Sequence, residues 1–329
     1  MGGEALKKKN GGIVTFIEKY NTYLIFLLFI VISSLLSENF LTWKNLGNLI
    51  KQNAASVFMA EGMLFVLMTG NIDLSVGSVI AIGNVVSAYV LEKMGLSLGW
   101  AIVLSLAAGV LMGVLSGALV AYLKMMPFVA TLATQIIGRG LVMMFANGAN
   151  IRAKCELLSA SAKQSLLKGT ALESNIGELF TFFTVLIILL VVVFAFVQKY
   201  TKFGRLMQAI GSNEEAVRLA GIKTKRIIFA VYVICGLCCA AAGIMFTART
   251  STGVPTAAAG YEGNAIASNV LGGVSLSGGQ GSVIKVLIGV FIFALISNIM
   301  NLLGVASYPQ DVIKGIIIVV AVALQKVGK

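Results

Sequence analysis

The chain of 329 residues contains no histidine, only three prolines and only 13 acidic residues, and charged residues make up 12% of it. A soluble domain carries about a quarter charged residues, so this composition excludes an ordinary soluble domain. Histidine and clustered carboxylates or thiolates supply most protein metal ligands. We therefore predict no metal site and no catalytic site, and we interpret the four cysteines, at 155, 235, 238 and 239, as small packing residues.

What the chain does contain is apolar sequence: 58% of its residues are hydrophobic and its mean hydropathy is +0.95. The net charge of +12 comes from basic residues in short connections between apolar runs, which favours a membrane surface over nucleic acid. A membrane-spanning helix needs about 20 apolar residues. We predict an all-α polytopic membrane protein of about ten transmembrane helices, some broken. The candidate spans are Thr22–Ser37, Asn53–Thr69, Val76–Met94, Leu98–Leu123, Pro127–Ala146, Leu179–Gln198, Ile227–Thr247, Gly263–Val274, Ser282–Leu303 and Val312–Gln325.

The distribution of charge predicts the orientation of these spans. Residues 199–226 carry seven basic and two acidic residues, whereas 147–178 carry four and three. Because cytoplasmic loops are enriched in Lys and Arg, 199–226 is predicted to be cytoplasmic. Ten passes then place both termini inside and 147–178 outside. We expect one transmembrane domain over 1–329, with a cytoplasmic segment at 1–21 that leads into a retained helix.

One polar island, Phe203–Ile222, interrupts the apolar runs. Ser212 followed by Glu215 has the spacing of a capping box. Gly221 is suited to the left-handed conformation that ends many helices. The pattern predicts a short, capped cytoplasmic helix, and such a helix on a membrane protein indicates a docking site for another subunit.

Glycine patterns indicate close packing and broken helices. The repeat Gly109, Gly113, Gly117 allows another helix backbone to approach. The stretch GNIDLSVGS at 70–78 is echoed by GGVSLSGGQGS at 272–282, and both face the same side of the predicted topology. We interpret the echo as a parallel duplication with broken helices near a translocation path. The second stretch lacks the lysine of a phosphate-binding loop, so the chain is not expected to hydrolyse ATP.

These blocks together resemble the permease subunits of ribose- and galactoside-type ABC sugar importers of bacteria. The resemblance extends over nearly the whole chain, through TGNIDLSVGS at 69–78, VAYLKMMPFVATLAT at 120–134, FGRLMQAIGSNEEAVRLAGI at 203–222, VLGGVSLSGGQGS at 270–282 and NLLGVASYPQDVIKGIIIVVAVAL at 301–324. It implies a multi-pass inner-membrane permease that passes a monosaccharide inward by alternating access.

The resemblance also implies partners. An ABC ATPase subunit would bind ATP and Mg²⁺, so this chain needs no cofactor of its own. An external substrate-binding protein, a second permease copy in a homodimer, and membrane lipid complete the expected surroundings. The ATPase-coupling residues implied by the family are Gly211, Ser212, Asn213, Glu214, Glu215, Ala216, Arg218 and Gly221.

Polar residues on or beside the spans are the candidates for the translocation path: Asn71, Asp73, Ser75, Gln135, Asn264, Asn269 and Asn298. Asp73 could touch cargo or only cap a broken helix. Arg139 could pair with Glu61. The chain departs from the family pattern at Glu61, where an apolar residue is usual, and at Asn264, where an acid is usual, so the cargo does not follow from the resemblance.

Other functions are open at this point. An ABC permease for a nucleoside, a signalling furanose or an amino acid would share this architecture. A secondary transporter driven by H⁺ or Na⁺ would use Glu61 and Asp73 as coupling carboxylates. A membrane-embedded enzyme would need a cluster of catalytic side chains that the sequence lacks.

Overall fold

Each of the ten predicted spans coincides with a helix in the computed structural model, which describes residues 20–168 and 177–327. The predicted segment 1–21 lies almost wholly outside the described residues, as does part of the 147–178 loop. Within the described ranges the elements are α1 Tyr20–Leu36, α2 Trp43–Met68, α3 Val76–Glu92, α4 Leu98–Ala121, α5 Pro127–Ala146, β1 Ile151–Arg152, α6 Glu156–Lys163, a 3₁₀ turn Gly177–Leu179, α7 Phe182–Tyr200, α8 Lys202–Leu219, α9 Thr224–Thr250, β2 Thr252–Gly253, α10 Tyr261–Leu271, α11 Val283–Leu302 and α12 Ser307–Val327.

By length and composition, five of these helices are long and apolar enough to cross a membrane: α4, α5, α7, α9 and α11. Helices α1 and α3 are apolar but shorter. Helix α10 has 11 residues, which is about 16 Å and only half of the hydrocarbon thickness. The prediction that Gly263–Val274 is too short to span alone is therefore confirmed. A non-helical stretch at 254–260 precedes it.

Helix α2 begins ten residues before the predicted span because its first turns are polar and capped. The Thr42 hydroxyl accepts a hydrogen bond from the Asn45 backbone N–H (3.3 Å), which satisfies one free donor of the first turn. Its second half is almost entirely buried and forms the centre of the bundle. An apolar-run criterion therefore finds the buried part of α2 but not its capped beginning.

The glycine stripe of α4 packs against α9 as predicted. A Cβ atom at Gly113 would lie 2.6 Å from the Tyr232 carbonyl oxygen, and one at Gly117 would lie 3.0 Å from that of Phe229. Gly109 faces Gly236 and Ala240 in the same way. The two backbones approach so closely that no side chain fits between them.

The loops gather at two ends of the bundle. At one end, which we call the coupling end, the chain after α2 contacts the chain after α10 and the middle of α8. Thr22, at the start of α1, donates to the Leu271 carbonyl (3.3 Å) at this same end. At the opposite end β1 pairs antiparallel with β2, and Lys51 forms an ion pair with Glu178 (2.6 Å). The two glycine-rich echoes thus lie at one end, which agrees with a parallel duplication.

The long loop between α5 and α7 contains structure that the sequence did not reveal. It includes β1, helix α6 and an isolated bridge between Ser165 and Thr181. Two-residue strands and an eight-residue helix give too few residues for a hydrophobic period to be recognised.

Candidate coupling and translocation site

The polar island is a helix broken into two parts at Asn213. Helix α8 is continuous by hydrogen bonding except at Asn213, whose φ of −162° and ψ of 94° are extended. The Asn213 Oδ1 atom accepts a hydrogen bond from the Ala216 N–H (2.9 Å), so Asn213 caps a second short helix. We refer to residues 213–221 as the coupling helix.

The predicted capping box is therefore wrong by one position. The Ser212 hydroxyl instead donates to the Gln208 carbonyl one turn back (3.0 Å), and Glu215 pairs with Arg218. Asparagine is as good a cap as serine, and its extended backbone is what breaks α8. The spacing rule located the helix but selected the wrong capping residue.

The end of the coupling helix follows the prediction. Gly221 has a φ of +82°. Its N–H donates to the Arg218 carbonyl (2.9 Å), and the Ile222 N–H donates to the Val217 carbonyl (3.3 Å). These two bonds form a Schellman motif, for which glycine is the preferred residue.

The first part of α8 ends in a junction made of backbone. A Cβ atom at Gly211 would overlap the Met68 carbonyl oxygen and the Gly279 nitrogen. A Cβ atom at Gly278 would lie 2.7 Å from the Gly70 nitrogen and 2.9 Å from the Gly211 Cα. The Gly279 N–H also donates to the Met68 carbonyl (3.0 Å). The first part of α8, which leads into the coupling helix, is thus in direct backbone contact with both glycine-rich echoes.

A cavity of about 950 Å³, lined by apolar surface and by charged side chains of both signs, separates the coupling helix from the 122–127 loop and the start of α9. Glu214 accepts a hydrogen bond from the buried Thr224 hydroxyl (2.9 Å), which fixes the coupling helix to α9. The hydrogen bond from Arg218 lowers the pKa of Glu215, with a further contribution from the charge of Lys124. Asn71 also lines this cavity, and its amide donates to Thr69.

Asp73 and Ser75 form a local turn before α3. The Asp73 Oδ1 atom accepts from the Ser75 N–H (2.8 Å) and from the Ser75 hydroxyl (2.6 Å), and both side chains are buried. The Tyr232 hydroxyl of α9 donates to the neighbouring Ile72 carbonyl (2.9 Å). These bonds form a turn that ends at Ser75, the residue directly before α3, and the choice between contact with cargo and capping of the broken helix stays open.

Arg139 supports the non-helical stretch before α10. Its Nη1 atom donates to the carbonyls of Pro255 (2.9 Å) and Ala257 (2.8 Å). The Gln135 amide, one turn earlier on α5, donates to Glu262 (3.2 Å) in the first turn of α10. Backbone carbonyls at this depth need donors because water is scarce.

The suggested pair between Arg139 and Glu61 does not form. Glu61 is fully buried on α2, and neither of its carboxylate oxygens has a hydrogen-bond partner. Arg139 is occupied by the two carbonyls of the 254–260 stretch, and Glu262 contributes to its electrostatic environment. Sequence alone could not decide this because the partner groups are backbone atoms.

The remaining path candidates lie at different depths. Asn269 is buried and donates to the Ala60 carbonyl of α2 (3.0 Å), while its own Oδ1 atom has no hydrogen-bond partner. Asn264 lies half-buried on the same helix. Asn298 exchanges two hydrogen bonds with Asn45, at 3.0 and 2.9 Å, near the end opposite the coupling helix. The structure therefore does not bring the seven candidates into one cluster, and their part in translocation stays a prediction.

A bundle of apolar helices that carries an exposed, capped helix on glycine-rich loops is the arrangement expected of a polytopic membrane transport subunit. Comparison with known proteins agrees. Residues 45–322 match the family described as "Branched-chain amino acid transport system / permease component", and the chain belongs to this family. It is a permease subunit and a multi-pass protein of the inner membrane.

Several curated relatives are similar over almost their whole length. The chain is 38% identical over 300 residues to the ribose import permease protein RbsC of Escherichia coli (strain K12), covering 90% of each chain. It is 38% identical over 309 residues to RbsC of Bacillus subtilis (strain 168), covering 94% of this chain and 93% of the relative. It is 34% identical over 313 residues to the L-arabinose transport system permease protein AraH of Escherichia coli (strain K12), covering 94% and 90%. No solved structure matches the chain.

Proposed function

We propose that this chain is the transmembrane subunit of an ATP-driven importer and that it passes a monosaccharide from an external binding protein into the cytoplasm. The relatives named for ribose and L-arabinose, both sugars of five carbons, support a pentose or a similar monosaccharide as the cargo. ATP and Mg²⁺ are bound by a partner ATPase, the second half of the pathway is supplied by another copy of the chain, and both termini are cytoplasmic. The helices of the pair form one membrane-embedded unit.

The junction at Gly211 is the observation that carries the mechanism. The coupling helix exposes Glu215 and Arg218 to solvent, where they can contact a docked ATPase. The first part of α8, directly before it in the chain, is held through Gly211 against Met68 and Gly279, at the ends of the two broken-helix segments. Because these contacts are between backbones, a displacement of the coupling helix is passed to both segments without rotation of any side chain.

Alternating access follows from this attachment. When ATP closes the partner dimer, the two coupling helices approach each other and draw the chain after α2 and the chain after α10 with them. This movement opens the translocation pathway to the outside, where the binding protein releases its sugar. Hydrolysis of ATP reverses the movement and opens the translocation pathway to the cytoplasm. Weak polar contacts in the pathway are sufficient, because the binding protein selects the cargo.

The decisive experiment is to co-express the chain with its neighbouring transport genes, purify the complex and reconstitute it in liposomes. We expect a stoichiometric ATPase and ATP-dependent uptake of labelled ribose or a related sugar. Glu215→Ala combined with Gly221→Ala should reduce uptake per ATP hydrolysed at least ten-fold, because a non-glycine residue at a φ of +82° strains the end of the coupling helix.

A matched control is Gly95→Ala, since Gly95 also has a positive φ of +62° but lies between α3 and α4 with no atom within 4 Å of its Cβ position. Normal coupling in the double variant would contradict the assignment of the coupling helix. Uptake of branched-chain amino acids instead of sugars would retain the importer but change its cargo. Uptake without any ATPase, abolished by an ionophore, would replace the proposal with a secondary transporter that uses Glu61.

A further inference from the structure

A second cavity lies on the membrane-facing side of the bundle, between α7 and α9, and it is apolar. Its volume is about 630 Å³. Phe58 and Phe65 of α2 form its floor, Phe194 of α7 forms one wall, and Ile234 and Leu237 of α9 form the other. Leu237 is 40% exposed, so the cavity is an open groove. We call it the acyl groove.

The acyl groove has the length of one membrane leaflet. Along α7 its lining runs from Leu190 to Thr201, which is about 16 Å at 1.5 Å per residue. Half of a typical hydrocarbon core is about 15 Å. Thr201 and Phe203 lie at the coupling end, and Ala241 is the lining residue of α9 that is farthest along the chain from that end. The groove therefore begins at one surface and ends near the middle of the membrane, which is the path of a single lipid chain.

The open end of the groove is positively charged. Lys202 and Arg205 lie in the first turns of α8, immediately beside Thr201 and Phe203, and both side chains are exposed. Neither takes part in an ion pair with another described residue. The chain carries no acidic residue between Glu178 and Glu214. This is a cluster of cations at the depth where lipid headgroups lie.

From this arrangement we infer that the acyl groove is a binding site for an anionic phospholipid of the leaflet next to the coupling helix. One acyl chain lies against Phe58, Phe65 and Phe194, and the headgroup phosphate is bound by Lys202 and Arg205. Basic side chains at the surface end of a cleft between helices are a recognised pattern for anionic lipid.

The site connects lipid to the coupling helix, because Lys202, Arg205 and Gly211 belong to the same first part of α8. A lipid that holds this part fixes the position of the backbone junction with Met68 and Gly279. Anionic lipid is therefore expected to stabilise the junction and not only to coat the protein.

The test uses the full-length chain in lipid nanodiscs that contain phosphatidylglycerol with a photoreactive diazirine in its acyl chain. We expect labelling of peptides that contain Phe194 and Leu237. The yield should be at least five-fold above that of an equally loaded phosphatidylcholine probe, since one surface cation changes anionic lipid binding about five-fold. A double variant that carries Lys202→Gln and Arg205→Gln should give a phosphatidylglycerol labelling yield no higher than the phosphatidylcholine yield.

Two controls separate this site from the general lipid layer. Lys93→Gln with Lys163→Gln removes the same charge at the opposite end and should leave the labelling unchanged. Ala241→Phe should block the groove and abolish labelling of Leu237, whereas Val193→Phe, on the exposed face of α7 outside the groove, should not. Each variant is used only if it elutes as a monodisperse protein, and the charge variants do not alter the core.

Two outcomes would overturn the inference. Equal labelling by both probes, unchanged in the charge variant, would mean that ordinary bulk lipid enters the groove. Absence of labelling, together with disulfide formation between copies through Leu237→Cys, would mean that a second copy of the chain covers the groove.

Discussion

Replacing Gly211 by alanine is the most direct way to disturb the backbone junction. The added Cβ atom would overlap the Met68 carbonyl oxygen and the Gly279 nitrogen, so the junction has to open. Overpacking of this kind costs about 1–3 kcal/mol. Loss of the hydrogen bond from Gly279 to Met68 (3.0 Å) adds about 1 kcal/mol. The higher helix propensity of alanine offsets about 1 kcal/mol of this loss in the free energy of unfolding. The net loss is roughly 2 kcal/mol.

The chain carries its own reporters for this measurement. Cys235, Cys238 and Cys239 are buried in α9 and become reactive only when the bundle opens. After Cys155, which is partly exposed, is replaced by serine, a thiol-reactive dye follows thermal unfolding in detergent. We expect Gly211→Ala to lower Tm by about 3 °C, which corresponds to roughly 2 kcal/mol for a chain of this size.

Gly140→Ala on α5 is the matched control. Gly140 is helical like Gly211, but no atom lies within 4 Å of its Cβ position. Its Tm should therefore stay the same or rise slightly. In the reconstituted complex, Gly211→Ala should also lower uptake per ATP hydrolysed, whereas Gly140→Ala should not. An unchanged Tm and unchanged coupling in Gly211→Ala would refute the close backbone contact on which the mechanism depends.

Three further predictions follow from individual contacts. Asn213→Ala should destabilise the coupling helix by about 1 kcal/mol and weaken ATPase binding by a similar amount, because Asn213 is the cap. Ser212→Ala should change the ATPase affinity by less than about 0.5 kcal/mol. Pull-down of the ATPase over a concentration series measures the affinity of each variant. Glu61→Gln should keep transport and raise Tm by a few degrees, because a buried carboxylate without partners is costly; the thiol assay measures this. Asn45→Ala and Asn298→Ala should each destabilise the bundle. The double variant should lose less stability than the sum of the two single losses, with a coupling energy of about 1 kcal/mol in a double-mutant cycle.

Each of these has an outcome that contradicts it. Equal losses of ATPase affinity in the Asn213 and Ser212 variants would restore the capping box. Loss of uptake in Glu61→Gln would show that an ionisable group is required at this position and would favour ion coupling. Strict additivity of the Asn45 and Asn298 variants would mean that the paired amides contribute no mutual stabilisation.

The sequence predicted the elements whose pattern is long and local. Ten apolar segments became helices, and the glycine stripe of α4 met α9 because small residues spaced by four are typical of close helix contacts. The prediction of Gly221 as a helix stop was also correct, since a positive φ is a local demand.

The sequence could not predict contacts in which one partner is backbone. A pair between Arg139 and Glu61 was one possibility, but Arg139 binds the Pro255 and Ala257 carbonyls, and every residue of a chain carries such a carbonyl. The Gly211 junction joins three segments that lie far apart in the sequence. The cap is Asn213 and not the adjacent Ser212, and the sequence could not distinguish them because the two residue types cap helices about equally well.

Helix α10 is held at its two ends by different parts of the bundle. Its first turn is bonded to α5 through Gln135 and Glu262, and its last turn is bonded to α2 through Asn269 and the Ala60 carbonyl. A helix of 11 residues is too short to bend between such attachments. Helix α10 therefore moves as a rigid unit. When α2 slides along its axis relative to α5, α10 has to tilt, so an axial movement of α2 at the coupling end changes the angle of α10 relative to the rest of the bundle.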